Sequence, residues 1–209
     1  DIPDCLHCLD CFSQLPIQRL TSISKFLEIP AKFANASSVA ITIALRVKLT
    51  KKLQTEACLF YAGDGWGNHL SIKHYRGMTK FEACPGNEGR WESRVEVGAN
   101  TNLEVGKILS VVAVMQEDGE MSLWVDGDCI AKGAGLKAVD EFQISKRNEC
   151  FVGRWMRPDQ SLPTHCNFFN LDIYDGAMSE QDIKNHHQHT SSTMAFKPQY
   201  AQPPVVNFN

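Results

Sequence analysis

The sequence predicts an all-β protein, two packed antiparallel sheets with one short helix near the C-terminus. Three observations carry that expectation. Short runs in which apolar and polar side chains alternate recur through the middle of the 209-residue chain, the period of strands with one buried face. Turn signals such as Arg76-Gly77 and Asp126-Gly127 separate them, and such pairs tolerate the positive φ that tight hairpins require. One stretch, 179–183, carries a helix-start signal, a Ser N-cap with an acidic residue three places on.

Taken in order, the first run is 25–30 (KFLEIP), followed by 39–49 (VAITIALRVKL), where Ile41, Ile43, Leu45 and Val47 share a face. Residues 56–62 (EACLFYA) end at Gly63-Asp64-Gly65, and 69–75 (HLSIKHY) turn at Arg76-Gly77 into 79–84 (TKFEAC). A run over 91–97 (WESRVEV) precedes 107–116 (KILSVVAVMQ), whose near-continuous Val, Leu and Ile content marks a central strand. Glu117-Asp118-Gly119 then turns the chain into the hairpin 121–133 (MSLWVDGDCIAKG). There Met121, Leu123 and Val125 form an apolar face, and Ser122, Trp124 and Asp126 a mixed one. Residues 149–155 (ECFVGRW) and 166–176 (CNFFNLDIYDG) close the series. About eleven or twelve strands are too many for one flat sheet, so they stack as two.

Three regions follow: a cysteine-rich N-terminal extension at 1–20, a β-rich domain at 21–186, and a Pro/Gln-rich tail or linker at 187–209. With 21 basic and 24 acidic side chains, net −3, there is no electrostatic footprint of nucleic-acid binding. No apolar run is long enough to insert in a bilayer as a helix. The eight cysteines, Cys5, Cys8, Cys11, Cys58, Cys84, Cys129, Cys150 and Cys166, are even in number and scattered, which suits disulfides in an oxidising compartment. The sequon Asn35-Ala36-Ser37 agrees with glycosylation. The polar start, DIPDC, is not a secretory leader, so one is expected to have been removed or to precede it. Secretion or display on the cell surface is the expected location.

The order of motifs carries a resemblance. FLEIPAKF, SSVAITIALRVKL, LFYAGDGWGNHLSI, LEVGKILSVVAVMQEDGEMSLWVDGDCIAKG, CFVGRW and FFNLDIYDGAMSEQDI follow one another over about residues 25–186. This resembles the concanavalin A-like, laminin-G-like jelly roll, and the C-terminal stretch is similar to the lectin-like domain of trypanosomal sialidases. The resemblance implies a jelly-roll sandwich in which Asp126-Gly127 is the hairpin turn and Gly153 permits close strand approach or a bulge. It implies that Met178 and Ile183 dock the short helix on the sandwich edge. Because the family's first and last strands are neighbours, it implies a bridge from Cys166 to Cys5, Cys8 or Cys11, with Cys129–Cys150 and Cys58–Cys84 as further pairs.

No constellation supports catalysis. Glucanases of this fold set carboxylates on one face of a strand about 5–5.5 Å apart, whereas Glu117-Asp118-Gly119-Glu120 sits on a turn signal and reads as solvated. A Gly-x-Ser-x-Gly elbow, His-Glu-x-x-His and a phosphate loop are all missing from the sequence. The run from Cys5 to Cys11, with His7 inside it, reads as disulfide-forming before metal-binding. His186, His187 and His189 read as solvated, or as weak adventitious metal binders. No cofactor is required, and calcium is the one metal to consider, with Asp64 and Asn68 offering hard oxygen ligands on a rim loop. Trp66 on that glycine-rich loop can stack on a sugar ring or anchor a protein. Trp124 is expected on an outer or concave surface, while two of Trp91, Trp124 and Trp155 fill the core. The expectation is thus a non-catalytic extracellular recognition or adhesion module, binding glycan or a cell-surface protein through Trp66, Asn68, Asp64 and Trp124. The alternative is an accessory domain or disulfide-linked subunit of a larger surface enzyme or invasion complex.

Overall fold

The computed structural model describes residues 27–29, 40–52, 56–63, 69–84, 94–101, 103–134, 149–153, 165–174 and 176–192. They form eleven strands and one helix. A six-stranded sheet runs β1 (Leu27–Ile29), β10 (Glu149–Val152), β3 (Glu56–Gly63), β4 (His69–Tyr75), β5 (Met78–Cys84), β6 (Val95–Asn100). A five-stranded sheet runs β11 (Cys166–Tyr174), β2 (Ile41–Leu49), β7 (Ile108–Met115), β8 (Met121–Val125), β9 (Asp128–Gly133). Every strand pairing is antiparallel, so the two-sheet sandwich expected from the sequence is the fold.

Alternation explains the core. Ile43, Leu45 and Val47 of β2, Val111 and Ala113 of β7 and Leu123 of β8 meet Leu70, Ile72, Phe81 and Ala83 of β4 and β5 between the sheets. Burying each large aliphatic or aromatic side chain is worth roughly 1.5–3 kcal/mol over leaving it in water. Both tight hairpins have the backbone their sequences allow: Arg76 (φ 50) with Gly77 (φ 81), and Asp126 (φ 53) with Gly127 (φ 87). Asp126 tolerates the left-handed region and is also tied down. Its carboxylate accepts from Ser110 N–H (2.9 Å) and from Lys107 Nζ (2.8 Å). Gly153 (φ 77) serves the chain by a left-handed conformation directly after β10, where a side chain would be strained.

The helix α1 (Glu180–Ser192) begins as expected. Ser179 Oγ accepts from Asp182 N–H (3.2 Å) and Asp182 Oδ2 accepts from Ser179 N–H (3.3 Å), a reciprocal cap. Two expectations are corrected. The helix runs through Ser192, past the boundary drawn at 186. It also packs on the outward face of the five-stranded sheet, where Met178 and Ile183 join Ala44, Val112, Val114 and Trp124 in a second apolar cluster. His186 is accordingly no solvated side chain: Nε2 lies 3.1 Å from the buried Asp172 carboxylate, and the ring meets Tyr174 edge-on. A strand at 91–97 is corrected in position to Val95–Asn100, with 91–93 outside the described residues.

Cys58, Cys84, Cys129 and Cys166 are thiols, and the register overturns two expected bridges. Cys58 pairs with Lys73 and Cys84 with His69, so β4 lies between them. Two strand spacings, about 9–10 Å, exceed the roughly 7 Å between Cα atoms that a disulfide can span. Cys129 lies on β9, which packs against β6, whereas Cys150 lies on β10, separated from β6 by β3, β4 and β5. Cys5, Cys8 and Cys11, the expected partners of Cys166, lie outside the described residues, as does Asn35.

Candidate functional site

The outward face of β4, β5 and β6 holds a charged cluster that the hairpin register assembles. Because Leu70, Ile72, Phe81, Ala83 and Val97 point into the core, the alternate residues His69, Ser71, Lys73, Lys80, Glu82 and Glu96 share the opposite face. Ser71 stands opposite Glu82, and Glu82 opposite Glu96.

Glu82 is the hub. It is fully buried, yet accepts from His69 Nε2 (2.8 Å), pairs with Lys73 Nζ, and has Arg94 Nε 3.5 Å away. Burial on its own would raise its pKa, but the His69 hydrogen bond and the Lys73 ammonium win and hold it at about 2. His69, itself buried, stacks on Tyr61 with ring centroids 5.7 Å apart. Moving toward β6 the cluster opens. Lys73 is 16% exposed and Arg94 34%, while Lys80 pairs with Glu96 and approaches the Tyr75 ring. Gly98 stands opposite Lys80, and a Cβ there would lie 2.8 Å from Lys80 Cγ, so the missing side chain makes room for the lysine stem. Ser71 Oγ is buried with no hydrogen-bond partner.

This arrangement suits holding an anion. Three cations, Lys73, Lys80 and Arg94, accompany two carboxylates, and the guanidinium can grip a carboxylate with two parallel hydrogen bonds. It is poorly suited to acid–base hydrolysis. The Glu82–Glu96 pair is cross-strand, but a glycosidase acid must carry a proton, and Glu82 is held ionised. Nor does Cys84, opposite His69, make a nucleophile: burial, then the neighbouring Glu82, pushes its thiol up.

None of these residues was a sequence candidate. The signal was present as polar alternate positions on consecutive strands (His69, Ser71, Lys73; Lys80, Glu82), but a solvated face reads the same way. Trp124 is corrected: it is 7% exposed, covered by Met178 and Ile183, with its indole N–H donated to Ser122 Oγ (2.9 Å). The outward face it was placed on is right; the helix covers it. Asp64, Trp66, Asn68, Trp91 and Trp155 lie outside the described residues, although β3 and β4 carry the loop of the first three. Among the described residues no three His, Cys, Asp or Glu converge as a metal site. Glu117-Asp118-Gly119-Glu120 is a turn, with Gly119 at φ 84.

The sequence matches no family model and no curated protein. Solved structures share the fold. The Ruminococcus gnavus IT-sialidase CBM40 bound to α2,3-sialyllactose aligns with TM-score 0.65 at 16% identity, over 82% of this chain and 98% of that one. The NanB sialidase from Streptococcus pneumoniae aligns with TM-score 0.66 at 13% identity, over 81% of this chain. This chain spans 27% of the length of NanB. The binding domain of botulinum neurotoxin DC in complex with SialylT gives TM-score 0.56 at 11% identity, over 76% of this chain and 36% of that one. What these likenesses establish is the fold: a two-sheet antiparallel β-sandwich of the architecture seen in sialidase CBM40 domains.

Proposed function

We propose that this chain is a non-catalytic recognition module that binds acidic glycans, terminal sialic acid foremost, on the outward face of β4, β5 and β6. The observation that carries the reading is the buried, ionised Glu82, which fixes Lys73 and Arg94 in place before any ligand arrives. A preorganised cation loses little entropy on binding. Arg94 takes the sugar carboxylate in a bidentate grip, and Lys73 adds charge beside it. Support from outside the chain is that two proteins of this fold were solved in complex with sialylated ligands, one with α2,3-sialyllactose and one with SialylT. On this reading Trp66 also contributes an apolar stacking surface, with Asp64 and Asn68 as polar contacts or calcium ligands. The module acts outside the cell, alone or as the accessory domain of a larger surface enzyme.

Titration calorimetry with α2,3-sialyllactose and with lactose, with and without EDTA, tests the proposal. Sialyllactose is expected to bind and lactose not. Arg94→Ala should weaken binding at least tenfold, about 1.4 kcal/mol, and EDTA should matter only if Asp64 and Asn68 hold calcium. Equal affinity for lactose, or an Arg94→Ala variant that binds as well as the parent, overturns it. Release of free sialic acid would overturn the non-catalytic reading.

A further inference from the structure

Glu96 sits beside Arg94, the group assigned to the ligand carboxylate, and carries the same charge as that ligand. On β4, β5, β6 and the residue before β6, the outward charged groups of acids, lysines and arginines are Lys73, Lys80, Glu82, Arg94 and Glu96. One step further along the strands Arg76 lies over the Tyr75 ring (5.0 Å) and Glu56 stands opposite Tyr75 in the register, one charge of each sign. The two carboxylates of the cluster differ in setting. Glu82 is fully buried among its cations, whereas Glu96 is 31% exposed. Of the five groups, Glu96 and Arg94 are the two that solvent reaches most freely.

Glu96 is held in that place from both sides. The β5–β6 register sets it directly opposite Glu82. Lys80 Nζ donates to its Oε1 (2.5 Å), and Arg94 Nε lies 3.7 Å from its Oε2, against 3.5 Å from Glu82 Oε2. Lys80 can lie across β6 because Gly98, its cross-strand partner, leaves room for the lysine stem. The guanidinium is therefore shared between a buried carboxylate and an open one. Positioning Arg94 needs only the first. Like charges directly opposite on neighbouring strands destabilise a sheet, so Glu96 across from Glu82 is a cost to the fold that calls for a use.

A carboxylate next to an anion-holding group sorts anions by what flanks their charge. Sugar hydroxyls donate hydrogen bonds to it, while a second sulfate or carboxylate repels it and has no proton to give. A terminal sugar with one carboxylate and hydroxyls around it satisfies both Arg94 and Glu96. A sulfated polysaccharide satisfies Arg94 and is opposed by Glu96. We infer, resting on the glycan reading above, that Glu96 determines the specificity of this face: it admits singly charged sugars flanked by hydroxyls and rejects sulfated ones.

Titration calorimetry on the full chain with α2,3-sialyllactose and with a heparin tetrasaccharide, at one ionic strength, tests the inference. The parent is expected to prefer sialyllactose. Glu96→Gln keeps the size and an acceptor oxygen but removes the charge. It should tighten the heparin tetrasaccharide roughly tenfold or more and change sialyllactose less than about threefold. Glu120→Gln removes the same charge beside Lys132 of β9, in the other sheet, and should leave both affinities unchanged, which separates selection from net charge. Unchanged thermal melting confirms that both variants fold. A parent that does not bind sialyllactose overturns the glycan reading and this inference with it. If sialyllactose binds and Glu96→Gln tightens the heparin tetrasaccharide no more than Glu120→Gln does, the inference alone is overturned. Loss of sialyllactose binding in Glu96→Gln also overturns it, since Glu96 would then be a ligand contact or a brace for Arg94.

Discussion

Glu82 and Arg94 divide the work of the charged cluster between burial and contact. Glu82 is fully buried and Arg94 is a third exposed, so the carboxylate can set position, and on the proposed reading the guanidinium is the group that would meet ligand. The consequence for pH follows from the direction of the Glu82 shift. Its folded pKa, about 2, lies below the roughly 4.3 of an unfolded glutamate. The stabilisation it gives is therefore complete above pH 4.3 and lost as pH falls toward 2, on the order of 3 kcal/mol in total. Urea melts between pH 6 and 2 should show this loss in the parent. In Glu82→Gln they should start lower, with Lys73 and Arg94 left without their buried counter-charge, and should decline less across that window. Thiol reactivity gives a second check. Burial raises the pKa of Cys58, of Cys84 with Glu82 adding to it, and of Cys166, the last to about 12. Cys129 is exposed. A thiol reagent on the native protein, read by peptide mass mapping, should therefore modify Cys129 well before those three; faster labelling of Cys84 would mean an open, activated site.

Helix α1 and the β5–β6 pair show how elements were readable and where they were not. The Ser179–Asp182 cap and the Asp126-Gly127 turn could be seen in the sequence because each is written in adjacent residues with one conformation to satisfy. The cluster on β4–β6 could not, because it is a property of register: Ser71, Glu82 and Glu96 become neighbours only when three strands pair. Trp124 shows the same limit, since alternation tells which side of a strand an indole takes but not that a helix closes over it. Ile183 is the residue on which that closure rests, at 1% exposure. Ile183→Ala should cost about 2–4 kcal/mol of unfolding free energy and shift Trp124 emission to the red. Ser179→Ala should cost about 1 kcal/mol, with the emission unchanged. Gly98→Ala tests the sheet itself. A methyl 2.8 Å from Thr79 O and Lys80 Cγ must push β5 and β6 apart, so stability and the geometry of the charged face should fall together.

The whole molecule is a sandwich whose two outward faces have different fates. Helix α1 packs on one, burying Trp124, while the other gathers charge around a buried carboxylate and opens toward β6. Its fold is shared with proteins solved bearing sialylated ligands, and the reading of this chain as an acidic-glycan binder stands or falls on whether the exposed part of that face, at Lys73, Arg94 and Glu96, is where ligand goes. Backbone amide shifts recorded during a titration with α2,3-sialyllactose decide it. Changes that saturate and centre on Lys73, Glu82, Arg94 and Glu96, with the amides of β7 and α1 still, are the expected outcome. Shifts centred on the five-stranded sheet, or none at saturating sugar, would contradict it.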